Sequence, residues 1–321
     1  MSPQLALVTG ATGQDGSLLV EELLARGWFV DAIVRPSFSD AESLPGAVRS
    51  HEVDLADGIA LRDRIVDARP DFIFHLGAVS SVYESWQFPL STSQINSIST
   101  VAVLDAASVL HDMGFESHVV NASSAEIFAG SSDSPQSEGT AVVPISPYGA
   151  SKAFGLHMAR IARHRGVKVS NAILYPHEST RRDPSFVTRK ITRTVAAIAA
   201  GSDENLVLGN LDARRDWGWA EDYVKAMLLL ADSKVSDDYV IATGESHSVR
   251  DFAATAFRVA GIESWEGRLV TDPSLARPTD GVDLVGDCSK LRREHGWRPT
   301  KRFVEIVTEM VSHDLALASG S

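Results

Sequence analysis

The chain of 321 residues is 44% hydrophobic and carries a formal net charge of −12. That is enough apolar material for one large core or two modest domains, which excludes a disordered chain. The acidic balance excludes a nucleic-acid partner, which needs a basic surface, so an anionic ligand must be held by local arginines and backbone amides.

In chain order, "LALVTG" predicts a strand, "SLLVEELLARG" an amphipathic helix stopping at Gly27, and "WFVDAIVR" a second strand. A third strand ends at "EVDLAD". "GIALRDRIVDARP" is helical up to Pro70, "DFIFHLGA" is a strand and "TSQINSISTVAVLDAASVLHDMG" is a long helix. "SHVVNASSAEIF" predicts a strand, "SPYGASKAFGLHMARIARHRG" a helix and "KVSNAILYP" a strand. Strands alternating with helices at this spacing predict an α/β fold, a doubly wound parallel sheet with right-handed crossovers. After about residue 176 the pattern loosens. "FVTRKITRTVAAIAAG", "DWGWAEDYVKAMLLLAD", "VRDFAATAFRVAG" and "RFVEIVTEMVSHDLALA" are helical, with polar stretches such as "TDPSLARPTDG" between them. They predict a smaller, partly helical C-terminal cap. The expected division is 1–175 with about 216–244 for the dinucleotide-binding Rossmann domain, and 176–215 with 245–321 for the cap.

The lone cysteine, Cys288, excludes an intrachain disulfide and suits a reducing compartment; it is expected to be a structural or surface residue. No basic leader precedes "LALVTG", and no apolar run reaches the roughly 18 residues of a spanning helix. The expectation is a soluble, cytoplasmic protein with no membrane partner. His75, His177 and His247 are scattered without ligand spacing, so no metal site is expected.

In "VTGATGQDGSLL", Gly10, Gly13 and Gly16 stand between a strand and a helix. Glycine permits the tight turn and the close backbone approach that a pyrophosphate needs, with the phosphates at the helix N-terminus. The second strand ends "AIVRPS", with no carboxylate at Val34 to take ribose hydroxyls, and Arg35 suits a 2'-phosphate. The expected cofactor is therefore NADP. Asp54 and Leu55, at the end of the third strand, are placed to meet the adenine.

Tyr148 and Lys152 in "SPYGASKAF" share one helix face. A neighbouring ammonium and a positive nicotinamide are expected to bring the phenol below its ordinary pKa of about 10, so that it can take a proton from a substrate alcohol. In "NASSAEIF", Ser124 and Glu126 are two apart, which on a strand puts them on one side. A hydroxyl and a carboxylate there can act on the carbon next to a ketone.

With these residues the chain resembles the extended short-chain dehydrogenase/reductases and, within them, the GDP-mannose 4,6-dehydratase family. The resemblance is carried by "TGATGQDGSLL", "SSAE", "SPYGASK", "HESTRRDPSFVTRKITR", "LGNLDARRDWGWAEDYV", "VIATGESHSVRDF" and "GWRP", and covers nearly the whole chain. It implies an internal redox cycle: oxidation at sugar C4 with Tyr148 as base, removal of the C5 proton by Glu126, loss of water from C6 with help from Ser124 and Glu126, and reduction at C6. It also implies that Thr12, Gln14, Asp15, His177 and Arg182 join Gly10, Gly13, Gly16, Arg35, Asp54, Leu55, Tyr148 and Lys152 at the cofactor. For the nucleotide sugar it implies Ser81, Glu178, Arg181, Val187, Lys190, Gly209, Arg215 and Arg277, and for assembly a homodimer or homotetramer.

The chain departs from the family in places. Serine replaces threonine at Ser124, Val79 and Ser81 replace glutamine and histidine, Pro176 replaces asparagine, Pro36 a second arginine and Ala129 a glycine. Another nucleotide sugar, a 4-ketosugar reductase or epimerase, and a non-catalytic dinucleotide-binding protein stand as alternatives. Glu126 argues against the reductase, and the complete Ser124, Glu126, Tyr148 and Lys152 set against the binding protein.

Overall fold

The computed structural model describes residues 4–36, 44–275 and 283–319. The first half comprises β1 (Leu5–Thr9), α1 (Gln14–Ala25), β2 (Phe29–Val34), β3 (Arg49–Glu52), α2 (Gly58–Ala68), β4 (Phe72–His75), α3 (Val82–Gln87), α4 (Pro89–Asp112), β5 (His118–Ser124), α5 (Pro147–His164) and β6 (Lys168–Leu174). The second comprises β7 (His177–Glu178), α6 (Val187–Ala199), β8 (Leu206–Leu208), β9 (Arg214–Arg215), β10 (Gly218–Trp219), α7 (Ala220–Ser233), β11 (Asp238–Ile241), β12 (His247–Ser248), α8 (Val249–Val259), β13 (Leu269–Thr271), α9 (Ser289–His295) and α10 (Phe303–Ser319).

Seven strands form the central sheet in the order β11-β6-β5-β4-β1-β2-β3, and every neighbouring pair is parallel. The reason is visible in the sequence: β4 and β5 are buried along their whole length, as strands covered on both faces must be. On one face Leu19 and Leu23 of α1 pack with Met227 and Leu230 of α7. On the other, Leu61 and Ile65 of α2 pack with Val103 and Leu110 of α4. A third cluster joins Ile191 and Val195 of α6, Phe252 and Phe257 of α8, and Ile306 and Met310 of α10. This is the smaller helical cap.

Four expectations change in detail. "DYVI" supplies a seventh strand, β11, beside β6. The long helix α4 begins at Pro89, a residue that helices accept in their first turn because it lacks only an amide that would be unpaired there. The "DWGW" stretch forms β10 before α7 begins. Leu284, Cys288, Leu291 and Trp297 pack with the sheet cluster and not with the cap cluster, so Cys288 is structural, buried and not at the surface. Among the described residues no helix is long and apolar enough to cross a membrane.

Candidate active site

The loop after β1 closes on itself through backbone contacts. Gly10 has φ +71°, and a Cβ there would stand 2.8 Å from Gly77 Cα. A Cβ on Gly16 would stand 2.0 Å from the Gly10 carbonyl oxygen. Backbone cannot yield as a side chain can, so both positions need glycine. Gly13 is exposed and is the N-cap of α1, and it offers no side chain to the first-turn amides. At that helix start lies a cavity of about 320 Å³ whose lining includes Thr12, Gly13, Gln14, Ser17, Glu21 and Arg181. Uncapped amides, a bare glycine and a guanidinium are the donor set that a pyrophosphate needs. Arg35 is exposed just past β2. Asp54 and Leu55 follow β3; Asp54 accepts the Ala56 amide at 2.9 Å, and Leu55 lies against Gly77.

The segment after β6 folds back onto α1. His177 Nε2 lies 2.8 Å from Asp15 Oδ2, and Nδ1 lies 2.7 Å from the Tyr175 carbonyl oxygen. Gln14 Nε2 donates to the His177 carbonyl at 3.1 Å, and Ser179 Oγ donates to Gln14 Oε1 at 2.9 Å. Burial works against the Asp15 carboxylate, but His177, Arg182 and Gln14 outweigh it and hold its pKa below the usual carboxylate range. Arg182 donates to Glu178 Oε2 at 2.8 Å and to the His177 carbonyl at 2.8 Å. Arg181 pairs with Glu21 of α1 at 2.8 Å and donates to Ser17 Oγ at 3.1 Å. Arg181, which the resemblance places with the nucleotide sugar, makes these side-chain contacts with the helix of the phosphate loop.

Tyr148 sits in the first turn of α5, after Pro147 and the N-cap Ser146, whose Oγ accepts the Gly149 amide at 3.0 Å. Strand β5 ends at Ser124, and Ala125–Phe128 forms a single 3₁₀ turn. Glu126 is thus not on the strand, and the expectation that alternation aligns it with Ser124 fails. Ser124 instead caps the turn, its Oγ accepting the Glu126 amide at 3.2 Å. What brings Glu126 to Tyr148 is the approach of α5: a Cβ on Gly149 would stand 2.7 Å from the Glu126 carbonyl oxygen. Glu126 is half-buried.

The Tyr148 phenol is pushed up to about 12, mainly by burial; Ser124 and Arg182 favour its ionised form, while Glu126 and Asp15 oppose it. Burial brings Lys152 down to about 8. Its Nζ donates to the Ala122 carbonyl at 2.8 Å and stands 6.0 Å from the Tyr148 ring centroid. The expected lowering of the phenol by its lysine is not met by the protein alone, because desolvation exceeds the charge effects.

Among the other sequence-predicted residues, Arg215 is buried on β9, which pairs with β12 at His247. Val187 opens α6 and is exposed, while Lys190 one turn later and Gly209 after β8 are half-buried. Glu178 is buried, taking Thr188 Oγ1 at 2.8 Å besides Arg182. Ser81 caps α3, accepting the Glu84 amide at 3.1 Å. Arg277 lies outside the described residues. Sequence reasoning missed two buried polar anchors. Asn96 of α4 accepts the Val79 amide at 2.8 Å and donates to Ser151 Oγ at 3.0 Å, tying the Val79–Ser81 loop to the Tyr148 helix. Asp216 joins β9 to the end of β11.

Residues 7–310 match the family model described as GDP-mannose 4,6 dehydratase. The chain belongs to the GDP-mannose 4,6-dehydratase family. Relatives in that family include GDP-mannose 4,6 dehydratase 1 of Arabidopsis thaliana, 39% identical over 98% of this chain and 91% of the plant protein. The Homo sapiens enzyme is 37% identical over 98% of this chain and 92% of its own. GDP-mannose 4,6-dehydratase sdnI of Sordaria araneosa is 38% identical over 98% of this chain, which spans 62% of the fungal protein. Among solved structures, the UDP-glucose 4-epimerase of Thermus thermophilus in complex with NAD has a TM-score of 0.84 at 27% identity, covering 97% of this chain and 98% of that one. The family's fold and the Ser124, Glu126, Tyr148 and Lys152 pattern thus occur together in this chain.

Proposed function

We propose that this protein is an NADP-dependent nucleotide-sugar 4,6-dehydratase, a hydro-lyase that converts GDP-mannose to GDP-4-keto-6-deoxymannose. The observation that carries this reading is the close approach of α5 to the turn after β5, where Gly149, next to Tyr148, lies against the Glu126 carbonyl. A ketosugar reductase needs the tyrosine and lysine but no carbon base; the dehydratase needs both. The relatives above, named as GDP-mannose 4,6-dehydratases, support the base and the sugar. Arg35 beyond β2, with no carboxylate at Val34, supports the 2'-phosphate.

A bound nicotinamide supplies reversible hydride transfer to and from the sugar. Tyr148 takes the proton of the C4 hydroxyl as C4 becomes a ketone, and Ser124 and Arg182 are the neighbours that favour its phenolate. The ketone acidifies the C5 hydrogen. Glu126 takes that proton and gives it to the departing C6 hydroxyl, so the sugar loses one water and Glu126 ends as it began. Return of the electron pair at C6 leaves C5 to take up one proton exchanged with solvent, which balances the proton Tyr148 took from the C4 hydroxyl. Lys152, fixed to β5 through the Ala122 carbonyl, supplies positive charge near the Tyr148 ring. Arg215, with Lys190 and Arg277, binds the sugar nucleotide's diphosphate.

Glu126→Gln tests the reading, because it keeps shape and removes basicity. With GDP-mannose and NADP+ in deuterated water, the wild type forms the 4-keto-6-deoxy product with deuterium at C5. The variant still reduces the nicotinamide on adding substrate, but turns over about 10² to 10⁴ more slowly. Full turnover with unchanged C5 labelling refutes Glu126 as the base. A wild-type product that retains its C6 hydroxyl refutes the dehydratase.

A further inference from the structure

Gln136, in the loop that leaves the turn carrying Glu126, is fully buried, yet no step of the reaction uses it. Its carboxamide is saturated. Oε1 accepts the Tyr175 hydroxyl at 2.9 Å and the Val285 amide at 3.1 Å. Nε2 donates to the Asp133 carbonyl at 2.6 Å and to the Asp283 carbonyl at 3.1 Å. Two donors meet one end and two acceptors the other, a set that a carboxamide satisfies and a carboxylate does not. The main chain repeats the contact. The Gln136 amide donates to the Val285 carbonyl at 2.7 Å, and the Gln136 carbonyl accepts the Asp287 amide at 2.7 Å. Residues 283–287 are thereby laid along this loop, with a parallel bridge between Gln136 and Gly286.

The other edge of 283–287 holds the arginine assigned to the diphosphate. Arg215 forms a parallel bridge with Leu284. The Asp216 amide donates to the Leu284 carbonyl at 3.2 Å, and Asp216 Oδ2 accepts the Gly286 amide at 3.2 Å. Toward the catalytic turn, the loop that holds Gln136 is closed by two backbone bonds. The Val143 amide donates to the Ile127 carbonyl at 2.8 Å, and the Ser131 amide to the Phe128 carbonyl at 2.8 Å. Ile127 and Phe128 belong to the same 3₁₀ turn as Glu126. Gln136 therefore stands between Arg215 and Glu126, two residues far apart in the chain, and fixes the segment that joins them.

We propose that Gln136 is a positioning residue that sets the diphosphate grip at Arg215 against the turn carrying Glu126, and so places the sugar carbons at the base. The proposal rests on the function given above. A shift of about 1 Å between grip and base can cost about a hundredfold in rate while binding is kept. The competing account is that Gln136 only stabilises its loop. Variants that remain folded would then keep kcat.

The test uses the full chain, with Gln136→Met and Gln136→Glu as variants. Methionine removes all four side-chain hydrogen bonds at similar volume. Glutamate keeps the acceptor end and loses both bonds to carbonyls. Well below each unfolding midpoint, calorimetry measures NADP+ and, separately, GDP, UDP and dTDP. Steady-state rates with GDP-mannose, UDP-glucose and dTDP-glucose follow. The expected result is a split: NADP+ and nucleoside diphosphate affinities within about threefold of wild type, and kcat lower by about tenfold to a hundredfold. An unchanged kcat in a variant that binds NADP+ overturns the proposal. So does a nucleoside diphosphate affinity that falls as far as kcat, since the grip itself is then lost and not its placement. Loss of NADP+ binding in both variants makes Gln136 a requirement for folding and also overturns it. A wild type that dehydrates another of the three sugars in place of GDP-mannose overturns only the assigned substrate, and the positioning role is then scored on that sugar. A wild type that dehydrates none of them overturns both readings.

Discussion

Asp216→Asn should destabilise the protein by about 2–4 kcal/mol, the cost of buried donors left without an acceptor less the relief of a buried charge. Asp216 is fully buried and takes four neutral donors. Oδ1 accepts the Thr243 amide at 2.9 Å and the Thr243 hydroxyl at 2.5 Å; Oδ2 accepts the Gly244 amide at 2.8 Å and the Gly286 amide at 3.2 Å. An asparagine keeps one oxygen for Thr243 and turns an NH₂ onto two backbone N–H groups. A buried donor left without its acceptor costs about 1–3 kcal/mol, so two cost about 2–6. Part of that is returned. Burial raises the Asp216 pKa despite the hydrogen bonds from Thr243, Gly244 and Gly286, so the buried charge is itself costly. Denaturant unfolding of both proteins should show a lower midpoint with an unchanged slope. Because the neighbouring Arg215 lies on the strand that Asp216 anchors, KM for the nucleotide sugar should rise as well. An asparagine variant within about 0.5 kcal/mol of wild type would refute an ionised carboxylate accepting four bonds.

Arg35→Ala should weaken NADP+ about tenfold or more while leaving NAD+ nearly unchanged, because only the former offers a 2'-phosphate; titration of both at one salt concentration checks it. Asp238→Asn should flatten the acid limb of the stability curve. Burial opposes the Asp238 carboxylate, but Arg163, Asn171 and Arg160 outweigh it and hold its folded pKa below the ordinary value. Its contribution is therefore complete above the unfolded pKa of about 3.9 and is lost as pH falls toward the folded one. Unfolding free energies measured between about pH 5 and pH 3 should fall more steeply for wild type than for the variant.

The parts of the site that were legible in the sequence are those whose geometry is local. The phosphate loop follows from glycines at fixed spacing, since Gly10 and Gly16 exclude a Cβ by contacts with neighbouring backbone. Tyr148 and Lys152 follow from one helical turn. The sheet follows from apolar runs that no half-exposed strand would carry. What was not legible depends on contacts between segments far apart in the chain. Asn96 and Asp216 look ordinary until Val79, Ser151, Thr243 and Gly286 are brought to them. Arg181 is one of several arginines in the second half, and only the fold-back of residues 177–182 shows it against Glu21.

Glu126 shows how a site can be foretold for the wrong reason. Period-two alternation put it beside Ser124, yet the strand ends at Ser124 and the chain turns through Ala125–Phe128. In a continuing strand, Ser124 and Glu126 would face one side with their backbones set by sheet hydrogen bonds. In the observed turn, the Ser124 hydroxyl takes the Glu126 amide, so one residue both caps the turn and acts on the Tyr148 phenol. The carboxylate reaches the tyrosine because Gly149 lets α5 close on the Glu126 backbone. The spacing of Ser124 and Glu126 is thus a property of a capped turn. Their shared side of the site comes from helix α5, which no pattern within "NASSAEIF" records. The same closeness puts a negative charge against the phenol, which Ser124 and Arg182 counter without overcoming the burial. Acid and base chemistry on adjacent carbons requires this arrangement, since a base set far enough away to spare the tyrosine could not reach C5.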